Sequence, residues 1–432
     1  MMQSLKFLHT ADLHIGAPIR GFRDLSDAWA VRLQDAIALA YDRVIDTALE
    51  NDVDFVVLAG DAFDTSRPSY GDYLHFFDGL ERLHAAGIPL YLTPGNHDPL
   101  STWRAGMAKL PPSAHMMGGE APEFALYERE GEPLCLIGAR GYRNQAWPLD
   151  ESISAGISRT SAIRALETRF PHAARAPFSL GLIHTGLDLD QSKAFCNPGD
   201  LLAADIDYWA CGHLHQRLTL PTYGNPRIVF PGCIQGRDLK ESGERGCFIV
   251  SMNRTDEFSE VHTTLNFVPT ANIAFHTISV DISTCQTLAD VSRLTLTHLF
   301  HACAKTGCDD MVVRVVLEGE SPLHRFLAKA DVLADLRKRL NNAYPAFFCD
   351  TLLDRTRLPR QRRASIDGSL FPDHVLHIAN EQRSHGDEMV NYIQDEFVKR
   401  GIDLPSSLAR RMDDFNDAAE TLVLDLLDEE AS

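Results

Sequence analysis

The sequence predicts an α/β layered fold followed by a smaller α+β unit, and three observations carry that expectation. Over residues 1–270, apolar runs of β type end abruptly in polar residues, again and again. Between the early runs lie stretches whose apolar residues recur at helical spacing. From about residue 271 the pattern changes to a short set of strands and helices of its own. Strand and helix in alternation imply sheets whose strands are buried on both faces.

In chain order, the β-type runs are LKFLHTADLH (5–14), DFVVLAGDAFD (54–64), IPLYLTPGNHD (88–98), LCLIGARGY (134–142), SLGLIHTG (179–186), DYWACGHLH (207–215) and PRIVFPGC (226–233). The segment after Ser26 places Ile37, Ala40, Tyr41, Val44, Ile45 and Ala48 on one helical stripe. YLHFFDGLERLHAAG repeats the pattern and stops at Gly87, a residue suited to a helix C-cap. Phe76 and Phe77 on that helix suit either the core or a contact with a second copy of the chain. In the second unit, IAFHTISVDI reads as a strand and TLADVSRLTLTHLFHACAKT as a helix. DDMVVRVVLEG (strand), SPLHRFLAKADVLADLRKRLNN (helix) and AFFCDTLLD (346–354, strand) complete it. A basic loop, DRTRLPRQRRASIDGS, then leads into a helical tail that closes on DDFNDAAETLVLDLLDEE. The expected domains are therefore 1–270, 271–354 and 355–432.

A chain of 432 residues is too long for one ordinary core. With 44% apolar and 23% charged residues it has the composition of a globular protein. It shows neither a secretory leader nor an apolar run of the roughly 18 residues that a membrane span needs. The nine cysteines have no regular spacing, so no disulfide framework or structural zinc site is expected, and the cytoplasm follows. A formal charge of −19 repels polyanions on average, so binding nucleic acid would need a local positive site or a basic partner.

The ends of the strands carry the chemistry. In open α/β sheets, ligands gather beyond the carboxyl ends of the strands. There stand Asp12 and His14, Asp61, Asn96 with His97 and Asp98, His184, and His213 with His215. Residues i and i+2 of an extended chain point to one side, so Asp12 and His14 are expected to grip one ion together, and His213 and His215 to serve one ion or two neighbours. Gly60, Gly95 and Gly212 precede these segments, where a Cβ would crowd an ion. Imidazole mixed with carboxylate oxygen, without thiolate, suits Mn²⁺, Fe or Zn²⁺ better than all-oxygen cages for Ca²⁺ or Mg²⁺. Seven ligands (Asp12, His14, Asp61, Asn96, His184, His213, His215) suit two ions sharing a bridging carboxylate, and only the two aspartates among them are charged. Such a pocket favours a phosphate, on which two metals activate a bridging hydroxide and clamp an in-line displacement. Taken singly, a strand-end histidine is more often structural, and GDAFD is also an ordinary Asx turn. Five such insertions, all at strand ends, favour the metal reading.

The blocks DLH (12–14), GDAFD (60–64), GNHD (95–98), HTG (184–186) and GHLH (212–215) resemble the calcineurin-like metallophosphoesterases over the first 270 residues. FLHTADLHIGAP and GDAFDTSRPS are similar to the openings of the SbcD-type DNA-repair nucleases, and FPGCIQGRDLKESGERGCFIV (230–250) is similar to the YhaO proteins of that branch. The resemblance implies a four-layer β-sandwich flanked by helices, with the smaller α+β unit as a capping domain. It implies one metal on Asp12, His14, Asp61 and His215, and another on Asp61, Asn96, His184 and His213, with Mn²⁺ the leading choice and Fe, Zn²⁺ or Mg²⁺ as alternatives. His97 would face the phosphate, Asp98 would orient His97 or cap the local turn, and Asp64 would support from behind.

A metal-dependent DNA exonuclease or endonuclease follows, with DNA and an SbcC/YhaN-like coiled-coil ATPase as partners and a homodimer as a further candidate. Leu422, Val423, Leu424, Leu426 and Leu427 suit docking of that ATPase, or packing on this chain's own cap. Arg355, Arg357, Arg360, Arg362 and Arg363 form a cluster able to track a phosphate backbone, though a solvated loop is the commoner fate of such a run. Arg140, Arg143 and Arg237 follow strand ends or glycines and are candidates to meet substrate near the metals. The competing readings are a phosphodiesterase or phosphatase for small nucleotides, and a non-catalytic protein that binds DNA or an ATPase.

Overall fold

The computed structural model describes residues 3–359, apart from 20–21, 23–24, 66, 104–108, 191 and 257–258, together with 377–378, 381, 392, 395–397, 399–400, 419 and 423. Arg360, Arg362, Arg363, Leu422, Leu424, Leu426 and Leu427, and with them most of the expected helical tail, lie outside the described residues.

The first half of the chain runs β1 (Gln3–Thr10), α1 (Asp27–Glu50), β2 (Phe55–Ala59), α2 (Tyr70–Ala85), β3 (Leu90–Thr93) and β4 (Ala114–Met116). It continues β5 (Glu123–Arg129), β6 (Glu132–Arg140), α3 (Arg159–Leu166), β7 (Phe178–His184), α4 (Pro198–Ala203), β8 (Tyr208–Gly212), β9 (Leu218–Leu220) and β10 (Ile228–Phe230). Two long strands, β11 (Gly246–Arg254) and β12 (His262–Pro269), close this part. They form two six-stranded sheets, β12-β11-β1-β2-β3-β4 and β5-β6-β7-β8-β10-β9.

Alternation within each strand builds the layers. On β1 and β2, Leu8, Val56 and Leu58 pack with Tyr41, Val44 and Ile45 of α1 and Phe76, Leu80 and Leu83 of α2. Their neighbours Phe7, Phe55, Val57 and Ala59 point the other way and meet Ile137, Leu180, Leu182 and Tyr208 of the second sheet. The far side of that sheet buries Ile183, Trp209 and Cys211 with Leu201 of α4, and Leu136 with Ala162 and Leu166 of α3. The result is helix, sheet, sheet, helix, the four layers that the family resemblance implied. Both long helices begin as their sequences dictate: Ser26 accepts from the Trp29 N–H, and Ser69 and Asp72 close a reciprocal capping box. Helix α2 is capped by Ala86, and Gly87 takes φ +73°, a left-handed turn that relieves the helix end.

By compactness the chain divides into two units. One holds Met1–His276, Ala302–Val313 and Ala346–Asp350; the other holds Thr277–His301, Arg314–Pro345 and described residues from Thr351 on. The later elements are β13 (Ile273–Asp281), α5 (Leu288–Lys305), β14 (Asp310–Glu320), α6 (His324–Leu327), α7 (Ala330–Asn341) and β15 (Phe347–Arg357). The strands form a sheet in the order β13-β14-β15. Helix α5 buries Val291, Thr295 and Leu299 at four-residue spacing, the mark of one packed face.

Three expectations are corrected. The helix read over SPLHRFLAKADVLADLRKRLNN is broken, because Lys329 is extended (ψ 123°) between α6 and α7. Arg355 and Arg357 stand on strand β15, not in a loop, with both side chains exposed. Phe76 and Phe77, at 0% and 7% exposure, belong to the core and offer no surface to a second copy. No helix among the described residues is long and apolar enough to cross a membrane.

Phe76→Ala is expected to cost about 3–5 kcal/mol in urea unfolding. Leu74→Ala, two positions earlier and 42% exposed, should stay within about 0.5 kcal/mol. Between the sheets, His9 is fully buried with Nδ1 2.9 Å from the Tyr208 hydroxyl. Burial pushes its pKa down to about 3 against a small upward pull from the Cys211 backbone. The unfolded chain takes that proton near 6.5, so acid favours unfolding between the two values. Stability should therefore fall as pH drops from about 6.5 toward about 3, by at most about 1.4 kcal/mol per pH unit from this group. A His9→Asn variant measured alongside the wild type should show a flatter acid limb.

Candidate metal centre

Parallel pairing brings the expected ligands together. β1 pairs with β2 (Thr10↔Leu58), β2 with β3 (Ala59↔Thr93), and β7 with β8 (His184↔Gly212). The segments that leave these strands therefore emerge at one rim, where the two sheets meet. The extended geometry expected for Asp12 and His14 is corrected. Their φ values are 51° and 48°, and Asp61 and His213 are left-handed as well, at 52° and 101°. Such conformations cost on the order of 1–3 kcal/mol each and persist only where surroundings impose them. Here the chain is pinned by Asp12 N–H to Gly60 O (3.1 Å) and His14 N–H to Asp61 O (3.0 Å). A Cβ on Gly95 would strike the Asp61 carboxylate, and one on Gly60 would strike the His184 ring.

Each of four histidines has one ring nitrogen turned outward onto an oxygen. His184 Nδ1 lies 2.8 Å from Ala59 O, His14 Nδ1 3.1 Å from Asp64, His215 Nδ1 2.5 Å from Glu241 and His213 Nε2 3.2 Å from Asp190. Those partners only accept, so in the neutral ring each outer nitrogen carries the proton and the inner nitrogen is left with a lone pair for a cation. The inner atoms gather in two groups, Asp12 with His14 and His215, and Asp61 with His184 and His213, each within 4.8 Å. Asp61 Oδ2 stands between them, 3.3 Å from His184 Nε2 and 3.9 Å from His14 Nε2. Asn96 Oδ1 joins the second group, 3.1 Å from His184 Nε2 and 3.2 Å from His213 Nδ1. All seven expected ligands thus converge.

This donor set fits divalent ions on physical grounds. His14 Nε2 and His215 Nε2 face each other at 3.0 Å, and carboxylate and amide oxygens face the remaining inner nitrogens. Buried acceptors aimed at one another repel unless a cation lies among them. Protons answer part of that need in the bare protein. Burial lowers His14 and His213, whereas His184, despite its burial, is pushed up to about 9 by Asp61. Asp61 is buried too, yet His184 and His14 hold it below the usual carboxylate range.

His97 sits beside this cluster, its ring edge-on to His14 with centroids 4.9 Å apart. Its backbone N–H donates to Asp61 Oδ1 (2.9 Å) and its Nδ1 to the Asp64 carbonyl oxygen (2.8 Å). Of the two roles expected for Asp98, orienting the His97 ring or capping the local turn, the contacts support the cap. Asp98 is 2% exposed and accepts from the backbone N–H groups of Gly95 (3.0 Å), Ala62 (3.0 Å) and Phe63 (3.4 Å), a turn cap joining two of the ligand loops. Of the three arginines, Arg237 reaches the cluster, 2.9 Å from Asp64 and 3.2 Å from His215 Nδ1. Arg140 pairs with Glu151 under the Trp147 ring, and Arg143 is 66% exposed with Glu120 3.8 Å away. Glu241 and Asp190 are not legible in the sequence. They lie 26 and 23 residues from the histidines they hold, in loops with no strand-end signature.

Comparison with known proteins agrees with this geometry. Residues 5–217 match the family model of the calcineurin-like phosphoesterases and form a metallophosphoesterase domain of that type, a hydrolase domain whose family uses a dinuclear metal site. Residues 275–357 match the middle domain of the metallophosphoesterase YhaO. The chain is 29% identical to the uncharacterized metallophosphoesterase YhaO of Bacillus subtilis over 329 residues, 74% of each protein. It is 30% identical to the DNA double-strand break repair protein Mre11 of Aeropyrum pernix over 236 residues, 52% of this chain and 54% of that one. To the SbcD component of the nuclease SbcCD of Bacillus subtilis it is 27% identical over 238 residues, 50% of this chain and 58% of that one. The similarity thus spans little more than half the length of these last two relatives.

Asp98→Asn should destabilise the fold by about 1–3 kcal/mol, because an amide cannot receive all those N–H groups equally. The His97 Nδ1–H resonance, held by the Asp64 carbonyl, should persist in the NMR spectrum of the variant.

Proposed function

We propose that this chain is a metal-dependent DNA nuclease, an exonuclease or endonuclease that hydrolyses phosphodiester bonds in DNA repair with a coiled-coil ATPase of the SMC type. Asp12, His14, Asp61 and His215 would hold one divalent ion, and Asp61, Asn96, His184 and His213 the other, with Mn²⁺ the preferred metal. The observation that carries the catalytic part is the state of His97. Its Nδ1 and backbone N–H are both committed, and its side chain is 42% exposed, so Nε2 is the ring atom that meets a substrate beside Asp61. The names of the Mre11 and SbcCD relatives support DNA as substrate, and the activity would belong in the cytoplasm.

Bound ions would make water nucleophilic and draw charge from the phosphoryl oxygens. The chain's own residues do the rest. His97, fixed by the Asp64 carbonyl through Nδ1, turns Nε2 toward a phosphoryl oxygen or the leaving oxygen, where it can exchange a proton. Asp61 orients the loop that carries His97 through its backbone N–H, and Asp98 stiffens that loop from behind.

One observation favours a second reading, hydrolysis of small phosphoesters. Arg140 and Arg237 are both compensated by carboxylates, and the whole chain carries −19, so the positive lining that a DNA backbone needs is thin among the described residues.

Purified protein with Mn²⁺ is expected to cleave end-labelled single- or double-stranded DNA. Asp61→Ala and His97→Ala should each lower the rate by roughly 100-fold or more. Cleavage of an aryl phosphodiester with DNA left intact would move the assignment to small substrates. Activity undiminished in both variants would remove the site from the reaction.

A further inference from the structure

The two halves of the centre are supported unequally, and the difference traces to three residues. Behind His215 stands Glu241, with Oε1 2.5 Å from Nδ1, and behind His14 stands Asp64, with Oδ1 3.1 Å from Nδ1. Arg237 joins the two carboxylates. Its Nη1 lies 2.9 Å from Asp64 Oδ1, its Nη2 3.2 Å from Glu241 Oε1, and its backbone N–H donates to Glu241 Oε2 at 2.8 Å. The three side chains are only 14–24% exposed. We infer that Glu241, Arg237 and Asp64 form a positioning clamp that makes the His14/His215/Asp12 half the tighter ion site, filled first, and leaves the His184/His213/Asn96 half exchangeable. This inference rests on the two-ion reading proposed above.

Two independent effects point the same way. A carboxylate behind a ligating histidine fixes the ring and makes its inner lone pair more basic, and losing such a partner typically costs about 10–100-fold in metal affinity. The first half has such a carboxylate hydrogen-bonded behind His215, and a second, Asp64, at ion-pair distance (3.1 Å) behind His14. The second half has a neutral partner, Ala59 O, behind His184, and behind His213 it has Asp190, which is 40% exposed and shared with Ser192. Screening by water weakens that contact. Charge adds to the contrast. Asp61 serves both halves, but the first adds anionic Asp12 where the second adds neutral Asn96. The clamp itself sums to −1, two carboxylates against one guanidinium, so it also favours a cation at the first half.

The clamp settles two smaller matters. Cys233 Sγ lies within 4.8 Å of ligand atoms of His215 and Glu241, a set that resembles a further metal site. Arg237 Nη2, 3.2 Å from His215 Nδ1, already supplies the positive charge there, so that outer face takes a guanidinium rather than an ion. Arg237 is thereby a positioning residue rather than a substrate contact.

The test titrates Mn²⁺ into the metal-free full chain by calorimetry, with electron paramagnetic resonance at one equivalent. Wild type should bind two ions with affinities at least about tenfold apart and show the spectrum of isolated Mn²⁺ at one equivalent. Glu241→Gln, which keeps the hydrogen bond and removes the charge, should weaken the tighter site by about 10–100-fold. Arg237→Lys, too compact to span both carboxylates, should weaken the same site and serves if Glu241→Gln does not fold. Asp190→Asn should move only the weaker site. Equal affinities, spin-coupled pairs at one equivalent, or a tighter site untouched by Glu241→Gln and Arg237→Lys would overturn the inference alone. Fewer than two ions bound by the wild type would overturn the two-ion reading along with it.

Discussion

Asp61 is the residue on which the rest of the centre depends. It leaves the end of β2 in the first sheet, and its Oδ2 reaches His184 at the end of β7 in the second. Its other oxygen holds the backbone N–H of His97, and its own carbonyl holds that of His14. One residue therefore sets the position of both sheets' ligand loops. Its burial, at 1% exposure, is tolerable only because imidazoles and N–H groups surround it. The left-handed backbone at Asp12, His14, Asp61 and His213, and the absence of a Cβ at Gly60 and Gly95, are what this close approach requires.

That dependence explains which parts of the molecule are legible in the sequence. Strands β1, β2, β3, β6, β7, β8 and β10 are apolar on both faces because each lies between layers, so they stand out as continuous runs. Strands β4 and β9 are short, only partly buried strands at the sheet edges, and β5 is half-buried along most of its length. The ligands are legible because polar residues cut off those apolar runs. Asp190 and Glu241 interrupt nothing. Their role arises from folding, which carries a loop carboxylate to the back of a histidine more than twenty positions away.

At the metal centre, two departures from local reasoning share a cause. The period of an extended chain pairs Asp12 with His14, yet they meet through left-handed turns held by Gly60 and Asp61. Adjacency pairs Asp98 with His97, yet adjacent side chains diverge. The carboxylate turns inward to three backbone N–H groups and the ring turns toward Asp64. In both cases backbone hydrogen bonds between loops, which no spacing rule encodes, decide where the side chains go.

The distribution of charge follows from the same arrangement. Positive residues near the centre are committed to geometry: Arg237 to Asp64 and Glu241, and Arg140 to Glu151. A chain at −19 that commits its nearby arginines in this way keeps little fixed positive charge to attract a polyanion. On the two-ion proposal, attraction for phosphate would come from the ions themselves, whose two positive charges each would be only partly met by Asp12 and Asp61 among the seven proposed ligands. In such a centre, substrate affinity and metal occupancy are one variable. A protein whose second ion exchanges readily would have its grip on phosphate set by the supply of that ion, and long-range attraction of a polyanion would need positive charge other than Arg140 and Arg237.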